Sequence, residues 1–261
     1  MPPDTTIMAN YFSWLTPLTW AWLVLALPVA VSLCFVNAPY GRHNPGTLRP
    51  MIRARTGWLI MESPAVLVPT GAFVWGRAWE SPVLFVFFLV WQLHYVHRAW
   101  IYPFRLDKTS SPMPVLLMLM GLVFNLINGS LQGVWLFVHP VVNSADWLDD
   151  WRFATGAAVF GIGFVINMDS CNRLLRLRRE KPSEYSVPHG GLFRWVSCPN
   201  YLGEIVEWIG WALLTWSPAG LAFAVWTTAN LAPRARAHHH WYRDRFHDYP
   251  AKRKALVPGI F

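Results

Sequence analysis

Long apolar runs separated by short basic segments constrain this chain more than any other feature. A helix needs roughly 20 mostly apolar residues to cross the hydrocarbon core of a bilayer. Such runs recur at about 11–37, 58–76, 81–103, 112–138, 151–168, 200–216 and 219–233. Only 14% of the residues are charged and 54% are hydrophobic, whereas a soluble domain carries about a quarter of its residues as Asp, Glu, Lys and Arg. So few charges cannot cover a water-facing surface, which makes lipid the solvent for the rest. The last two runs are short and meet at Ser217, Pro218, Ala219 and Gly220, where Pro and Gly end one helix and begin another. The fold expected is all-α: a polytopic membrane protein with seven transmembrane helices in a single domain over residues 1–261. Six spans follow if the final hairpin is re-entrant. No internal repeat, low-complexity segment or separate soluble domain is evident.

The charge distribution orients the helices. The net charge is +8, but the basic residues sit in short clusters between apolar runs rather than along one stripe of a soluble module, which argues against a nucleic-acid partner. Arg42, Arg49, Arg53 and Arg55 follow the first run, and Arg98, Arg105 and Lys108 follow the third. The longest connector holds Arg173, Arg176, Arg178, Arg179 and Lys181. The tail holds Arg234, Arg236, Arg243, Arg245, Lys252, Arg253 and Lys254. The alternate loops carry Asp4, the pair Arg77 and Glu80, and the acidic set Asp146, Asp149 and Asp150. Positive segments stay in the cytoplasm, so the N-terminus is expected outside and the C-terminus inside. The first run, Tyr11 to Val36, has no basic region before it and is too long for the core of a signal peptide, so it reads as a retained helix. Cys34, Cys171 and Cys198 form no Cys-x-x-Cys pair, and neither a disulfide framework nor a zinc site is indicated.

Ionisable residues inside a membrane segment are costly and mark function more often than structure. Glu62, then Tyr95 with His94 and His97, then Glu204 and Glu207 all fall toward the expected cytoplasmic ends of three helices. The plainer alternatives are a structural ion pair of Glu62 with an Arg of the neighbouring loop, core packing for His94 and His97, and a salt-bridge network between Glu207 and the tail arginines. Asn200, Glu204 and Glu207 recur at i, i+4 and i+7 and so share one helix face, which suits hydrogen bonding to a polar cofactor. Gly190 and Gly191 precede a helix start and could bring backbone N–H groups to a phosphate, although they form no GxGxxG fingerprint.

Three chemistries compete for this arrangement. A membrane di-iron oxygenase would need His boxes of the HxxxH and HxxHH kind, and His238, His239 and His240 with the scattered remainder do not supply them, so no metal is expected. A membrane methyltransferase using S-adenosylmethionine also ends in a polar helix pair and a basic tail. A nicotinamide-dependent reductase would use basic residues for a pyrophosphate and a 2′-phosphate, with an acid beside an apolar substrate cavity. A scaffold without catalysis would leave the clustered polar residues without a purpose.

From Asn167 to Phe261 the chain resembles the steroid 5α-reductases, the 3-oxo-5-alpha-steroid 4-dehydrogenases. The resemblance is carried by YSVPHGGLFRWVSCPNYLGEIVEWIG at 185–210, AFA at 222–224, NLAPRARAHHHWY at 230–242 and YPAKRKALVP at 249–258, with WLIMESP at 58–64 and HYVHR at 94–98 in the first half. It implies a seven-helix membrane protein that uses NADPH to reduce the C4–C5 double bond of 3-oxo-Δ4-steroids. It assigns mainly substrate-side helices to 1–150 and mainly the NADPH-binding part to 151–261. Glu62 and Tyr95 match the pair that hydrogen-bonds the 3-oxo group. Asp169, Arg176, Tyr185, Asn200, Glu204, Arg234, His238 and Tyr242 match positions that hold NADPH. About two extra residues between Asp169 and Pro188 leave Arg176 and Arg178 as alternatives for one role. The family's Asn four residues before the connector Asp is replaced here by Val165, and the Gln of some members by Met61. The partners implied are a steroid or similar apolar lipid and the membrane itself, with no obligate protein partner. In a bacterium the membrane would be the inner one, and in a eukaryote the endoplasmic reticulum. Reduction of another lipid enone or of a polyprenol is the related alternative.

The chemistry agrees with the resemblance. An enone accepts hydride at its β-carbon only if the negative charge building on its oxygen is stabilised. A Tyr hydroxyl held by a carboxyl can supply that donor, and a carboxyl in an apolar pocket can itself donate.

Overall fold

Apolar side chains cover the outside of this molecule and polar ones fill parts of its centre, the inverse of a soluble protein. In a computed structural model, which describes residues 13–36, 48–106, 111–181 and 185–261, Leu27, Val31, Leu67, Leu93, Met120, Ile162 and Val165 are exposed, while Gln132, Asn128, His94 and Glu207 are buried. Lipid as the solvent accounts for both. Among the described residues seven helices of fifteen residues or more occur: α1 (Leu15–Phe35), α2 (Ala54–Trp75), α3 (Pro82–Val96), α4 (Val115–Gly133), α5 (Trp151–Glu180), α6 (Pro199–Thr215) and α7 (Pro218–Arg245). Four segments are long and apolar enough to cross a membrane by length and composition: α1, α2, α4 extended to Val138, and α5. Tyr11, where the first run begins, and Asp4, Arg42, His43 and Lys108 lie outside the described residues.

The helix ends follow local chemistry. Trp216 takes a left-handed conformation (φ 46°) to stop α6, the Ser217 side chain accepts a hydrogen bond from the Gly220 N–H at 3.0 Å, and Pro218 opens α7. The break read from Ser217 to Gly220 is therefore a tight helical corner. α7 runs on to Arg245, well past the apolar limit at 233, because apolarity marks where lipid ends and not where the helix does. α3 passes into a π-helical turn (His97–Ile101) and a last helical turn, Tyr102–Arg105. Extra residues inserted into a helix in this way re-aim side chains, and they recur at functional sites. The strands among the described residues form one short antiparallel pair, β1 (Met51–Ile52) with β2 (Met113–Pro114), and a single parallel bridge joins Val196 to Lys254.

Packing is tightest where glycines let backbones touch. A Cβ built on Gly163 of α5 would lie 2.2 Å from the backbone N of Glu207, and one on Gly203 of α6 would lie 2.4 Å from the backbone N of Asn167. Small residues at such crossings are the usual device for close helix association in lipid. Elsewhere polar groups bridge helices. The fully buried Gln132 side chain of α4 donates to the Ala219 carbonyl at 2.7 Å and accepts from the Trp211 indole at 3.0 Å. On the other flank, Trp226 of α7 donates to the Trp22 carbonyl of α1 at 2.8 Å. The chain after α7 returns to the start of α6, where the Ser197 N–H donates to the Lys254 carbonyl at 2.8 Å and the Cys198 N–H to the Ala255 carbonyl at 3.1 Å.

Because the neighbour at Gly203 is backbone, it cannot swing aside. Gly203→Val should cost at least the upper end of the usual overpacking range, about 3 kcal/mol. In detergent, its thermal midpoint should fall well below that of Gly161→Val, at a glycine with open space around it. Equal midpoints would refute the close α5–α6 contact.

Candidate active site

Three helices deliver one polar cluster. α2 contributes Glu62, α3 contributes His94, Tyr95 and, through its π-helical turn, Arg98, and α6 contributes Glu204 and Glu207. Glu62 and Tyr95 are both buried. The amide of the buried Asn125, on α4, donates to Glu62 Oε2 at 3.2 Å and to the Met61 carbonyl at 2.9 Å. The Arg98 guanidinium stands 3.6 Å from Glu62 Oε1 and lies over the Trp58 ring at 4.5 Å. The plainer reading of Glu62, an ion pair with a neighbouring Arg, is thus present in the same geometry as the candidate site. Glu62, Glu204 and Arg98 are close enough to Tyr95 for their charges to act on its hydroxyl.

The Tyr95 ring is held by aromatic neighbours. Trp91 lies 4.6 Å from it, His94 5.0 Å and Trp208 5.7 Å, and Trp208 in turn packs on Phe223 at 4.4 Å. His94 Nδ1 hydrogen-bonds Glu207 Oε1 at 2.7 Å, which ties α3 to α6 one residue from Tyr95. Glu207 therefore pairs with His94 inside the bundle and not with the tail arginines of the plainer expectation. The reason is burial: Glu207 is fully enclosed, and a charge held in low dielectric needs a partner at contact distance.

The second group of expected residues lies along α5, α6 and α7. The Asn200 side-chain amide and the Glu204 carboxyl make no hydrogen bond or ion pair among the described residues, whereas the Asn200 carbonyl accepts from the buried Asn167 amide at 2.9 Å. Val165 is 64% exposed, so the inward amide of α5 is Asn167, two residues later. Sequence reasoning missed Asn167 and Asn125, and an amide in an apolar run was the signal available for both. Asp169 pairs with Arg173 at 2.8 Å, and that pair sits against the Gly190–Gly191 turn, whose positive φ values (81° and 50°) only glycine adopts readily. Side chains of α5 thus meet the Gly190–Gly191 turn.

Arg176 and Arg178 point to different places, as residues two apart on a helix must. Arg178 stacks on the Tyr185 ring at 4.5 Å, and Tyr185 meets Trp241 of α7 at 5.2 Å. Arg176 instead lines a cavity with Arg105 and Arg179. Arg234 donates to the Asn230 side chain at 3.4 Å and lies over Tyr201 at 5.7 Å; His238 meets the Tyr201 hydroxyl at 3.2 Å. Tyr242 is buried and stacked on Tyr249 at 5.5 Å. His239, next to His238, instead hydrogen-bonds Ser197 at 2.6 Å, and burial together with the charge of Arg243 holds its imidazole below the ordinary range. The Asn200 amide and the Glu204 carboxyl, unpartnered among the described residues, with cations and stackable rings around the connector, are a donor set that fits a nicotinamide dinucleotide.

Comparison with known proteins gives the family of the chain. The family model described as 3-oxo-5-alpha-steroid 4-dehydrogenase matches residues 111–261. The chain is 41% identical over 241 residues to Steroid 5-alpha-reductase DET2 of Arabidopsis thaliana, covering 90% of this chain and 92% of the relative. It is 40% identical over 249 residues to 3-oxo-5-alpha-steroid 4-dehydrogenase 1 of Bos taurus, covering 92% and 95%. With the Homo sapiens protein of the same name it shares 39% over 230 residues, covering 86% and 87%.

Proposed function

The chain belongs to the 3-oxo-5-alpha-steroid 4-dehydrogenase family, and from that premise we propose that it reduces the C4–C5 double bond of 3-oxo-Δ4-steroids with NADPH, yielding 5α-dihydro steroids. The observation that carries the proposal is the buried pair of Tyr95 and Glu62 beside the partly buried Arg98, set where three helices meet inside an apolar bundle. The Tyr95 hydroxyl donates to the 3-oxo oxygen, where negative charge gathers as the β-carbon accepts hydride. Glu62 stands near enough to act on that donor by its charge, and Asn125 and Arg98 hold Glu62. The aromatic walls of Trp91 and Trp208 exclude water around the oxygen and strengthen every polar contact to it.

When bound, NADPH supplies the hydride to C5, and the enolate left behind takes one proton at C4 from water to give the saturated ketone. Asp169, Arg176 or Arg178, Tyr185, Asn200, Glu204, Arg234, His238 and Tyr242 are the residues proposed to hold it. Seven spans, with the N-terminus outside and the C-terminus in the cytoplasm, bring the charged cofactor in from the basic side. The apolar substrate enters from the lipid.

Purified in detergent, the protein should consume NADPH when testosterone or progesterone is added and form the 5α-dihydro product. Glu62→Gln should lower kcat by more than it weakens NADPH binding. If Glu62→Gln turns over normally, the role given to Glu62 is wrong. Tight NADPH binding without steroid turnover would redirect the search to other lipid enones.

A further inference from the structure

Three guanidinium groups line one cavity at the end of α5, and among the described residues none of them is balanced by an ion pair. The cavity, of about 310 Å³, is lined by Arg105, Asn172, Leu175, Arg176 and Arg179. Arg105 follows the π-helical turn after α3, and Asn172, Arg176 and Arg179 recur at i, i+4 and i+7 on α5, so one face of that helix closes the cavity. Arg105 donates to the Asn172 side-chain oxygen at 2.6 Å and lies 3.4 Å from His97 Nε2, and Arg179 donates to the Arg105 carbonyl at 3.4 Å. Every one of these partners is neutral. Among the described residues none of the three arginines makes an ion pair, although Arg98, Arg152 and Arg173 all do.

Like charges three residues apart on a helix repel, and a carboxylate in reach would relieve the repulsion. A site lined by three forked donors, with no carboxylate among its described lining residues, matches a phosphomonoester, which carries close to two negative charges and three acceptor oxygens. We propose that this cavity binds a phosphomonoester dianion, and that the ligand is the 2′-phosphate of the nicotinamide cofactor. Arg105 and Arg179, together with Arg176, then set the preference for NADPH over NADH. This rests on the nicotinamide reading above and adds which residues read the phosphate. It also separates two neighbours on α5. Arg176 belongs to the phosphate, whereas Arg178, stacked on Tyr185, belongs to the ring system of the connector. The same chemistry is offered by the headgroup of phosphatidic acid at the cytoplasmic membrane face, and the test separates the two.

Calorimetric titration of the full-length protein in detergent with NADPH, NADH and adenosine 2′,5′-bisphosphate reads binding without turnover. Wild type should bind NADPH at least about tenfold more tightly than NADH and should bind the bisphosphate, given the strength of charge-assisted contacts. Arg105→Gln and Arg179→Gln should each shrink the NADH-to-NADPH ratio of dissociation constants by about tenfold or more, with thermal midpoints near wild type. Arg179 is exposed, so its variant remains informative if Arg105→Gln folds poorly. A ratio unchanged in both variants overturns the proposal and leaves the nicotinamide reading intact. Stabilisation of wild type but not of the variants by phosphatidic acid in nanodiscs, with the ratio unchanged, assigns the cavity to a lipid headgroup and overturns the cofactor assignment. Wild type that binds neither dinucleotide removes the nicotinamide reading and the proposal with it.

Discussion

Tyr95→Phe should lower kcat by about 10²- to 10³-fold, the loss seen when one donor to a developing oxyanion is removed, while NADPH binding stays near wild type. The substitution deletes only the hydroxyl. The phenyl ring keeps its contacts with Trp91, His94 and Trp208, so the thermal midpoint should change little. Steady-state kinetics with a 3-oxo-Δ4-steroid and calorimetric NADPH binding on the same preparation separate the two effects. A variant with near-normal kcat would show that charge on the substrate oxygen is stabilised elsewhere. A loss of kcat matched by an equal loss of NADPH affinity would place Tyr95 with the cofactor and not with the steroid.

His94→Leu should destabilise the protein by about 3–5 kcal/mol, the usual consequence of removing one partner from a buried ion pair. The pair joins α3 to α6 at 2.7 Å, and Glu207 has no exposed surface and one side-chain oxygen already without a partner. A lost interhelical hydrogen bond in lipid is worth only about 0.6–2 kcal/mol, so the larger figure reflects the carboxyl left alone. Removing both members in His94→Leu with Glu207→Leu should therefore restore much of the loss, a coupling that a double-mutant cycle of unfolding measurements in detergent reads directly. If the double variant is no more stable than His94→Leu alone, the pair is not what the single change disrupts. A third possibility, no loss in either, would mean that the α3–α6 contact stands on aromatic packing alone.

Much of this architecture is legible in the amino-acid sequence. Apolar runs mark the seven long helices among the described residues, and the Ser217–Gly220 corner is readable because capping and proline chemistry are local. The positions of Glu62, Tyr95 and Glu204 in one cluster follow from placing polar residues at one depth on alternating helices. What the sequence hides is partnership. Glu207 can be assigned to a face but not to His94, since the choice depends on how far α3 rotates against α6, and glycine contacts such as Gly163 set that closeness. The π-helical turn after Val96 shifts the phase of Arg98 and Arg105, which no regular 3.6-residue period would reveal. Arg176 and Arg178 compete for one role by spacing alone, and helix geometry sends them to different neighbours. An amide in an apolar run marks Asn167 as noteworthy, but nothing local to the run shows that it faces the Asn200 carbonyl of α6.

The most direct test of the central claim follows the label from NADPH deuterated at the transferred position of the nicotinamide ring into the steroid product. With testosterone as substrate in ordinary water, one deuterium should appear at C5 of a 5α-dihydro steroid, with none at C4. Product without deuterium at C5, or no steroid product from a folded sample that binds NADPH, would contradict the assignment.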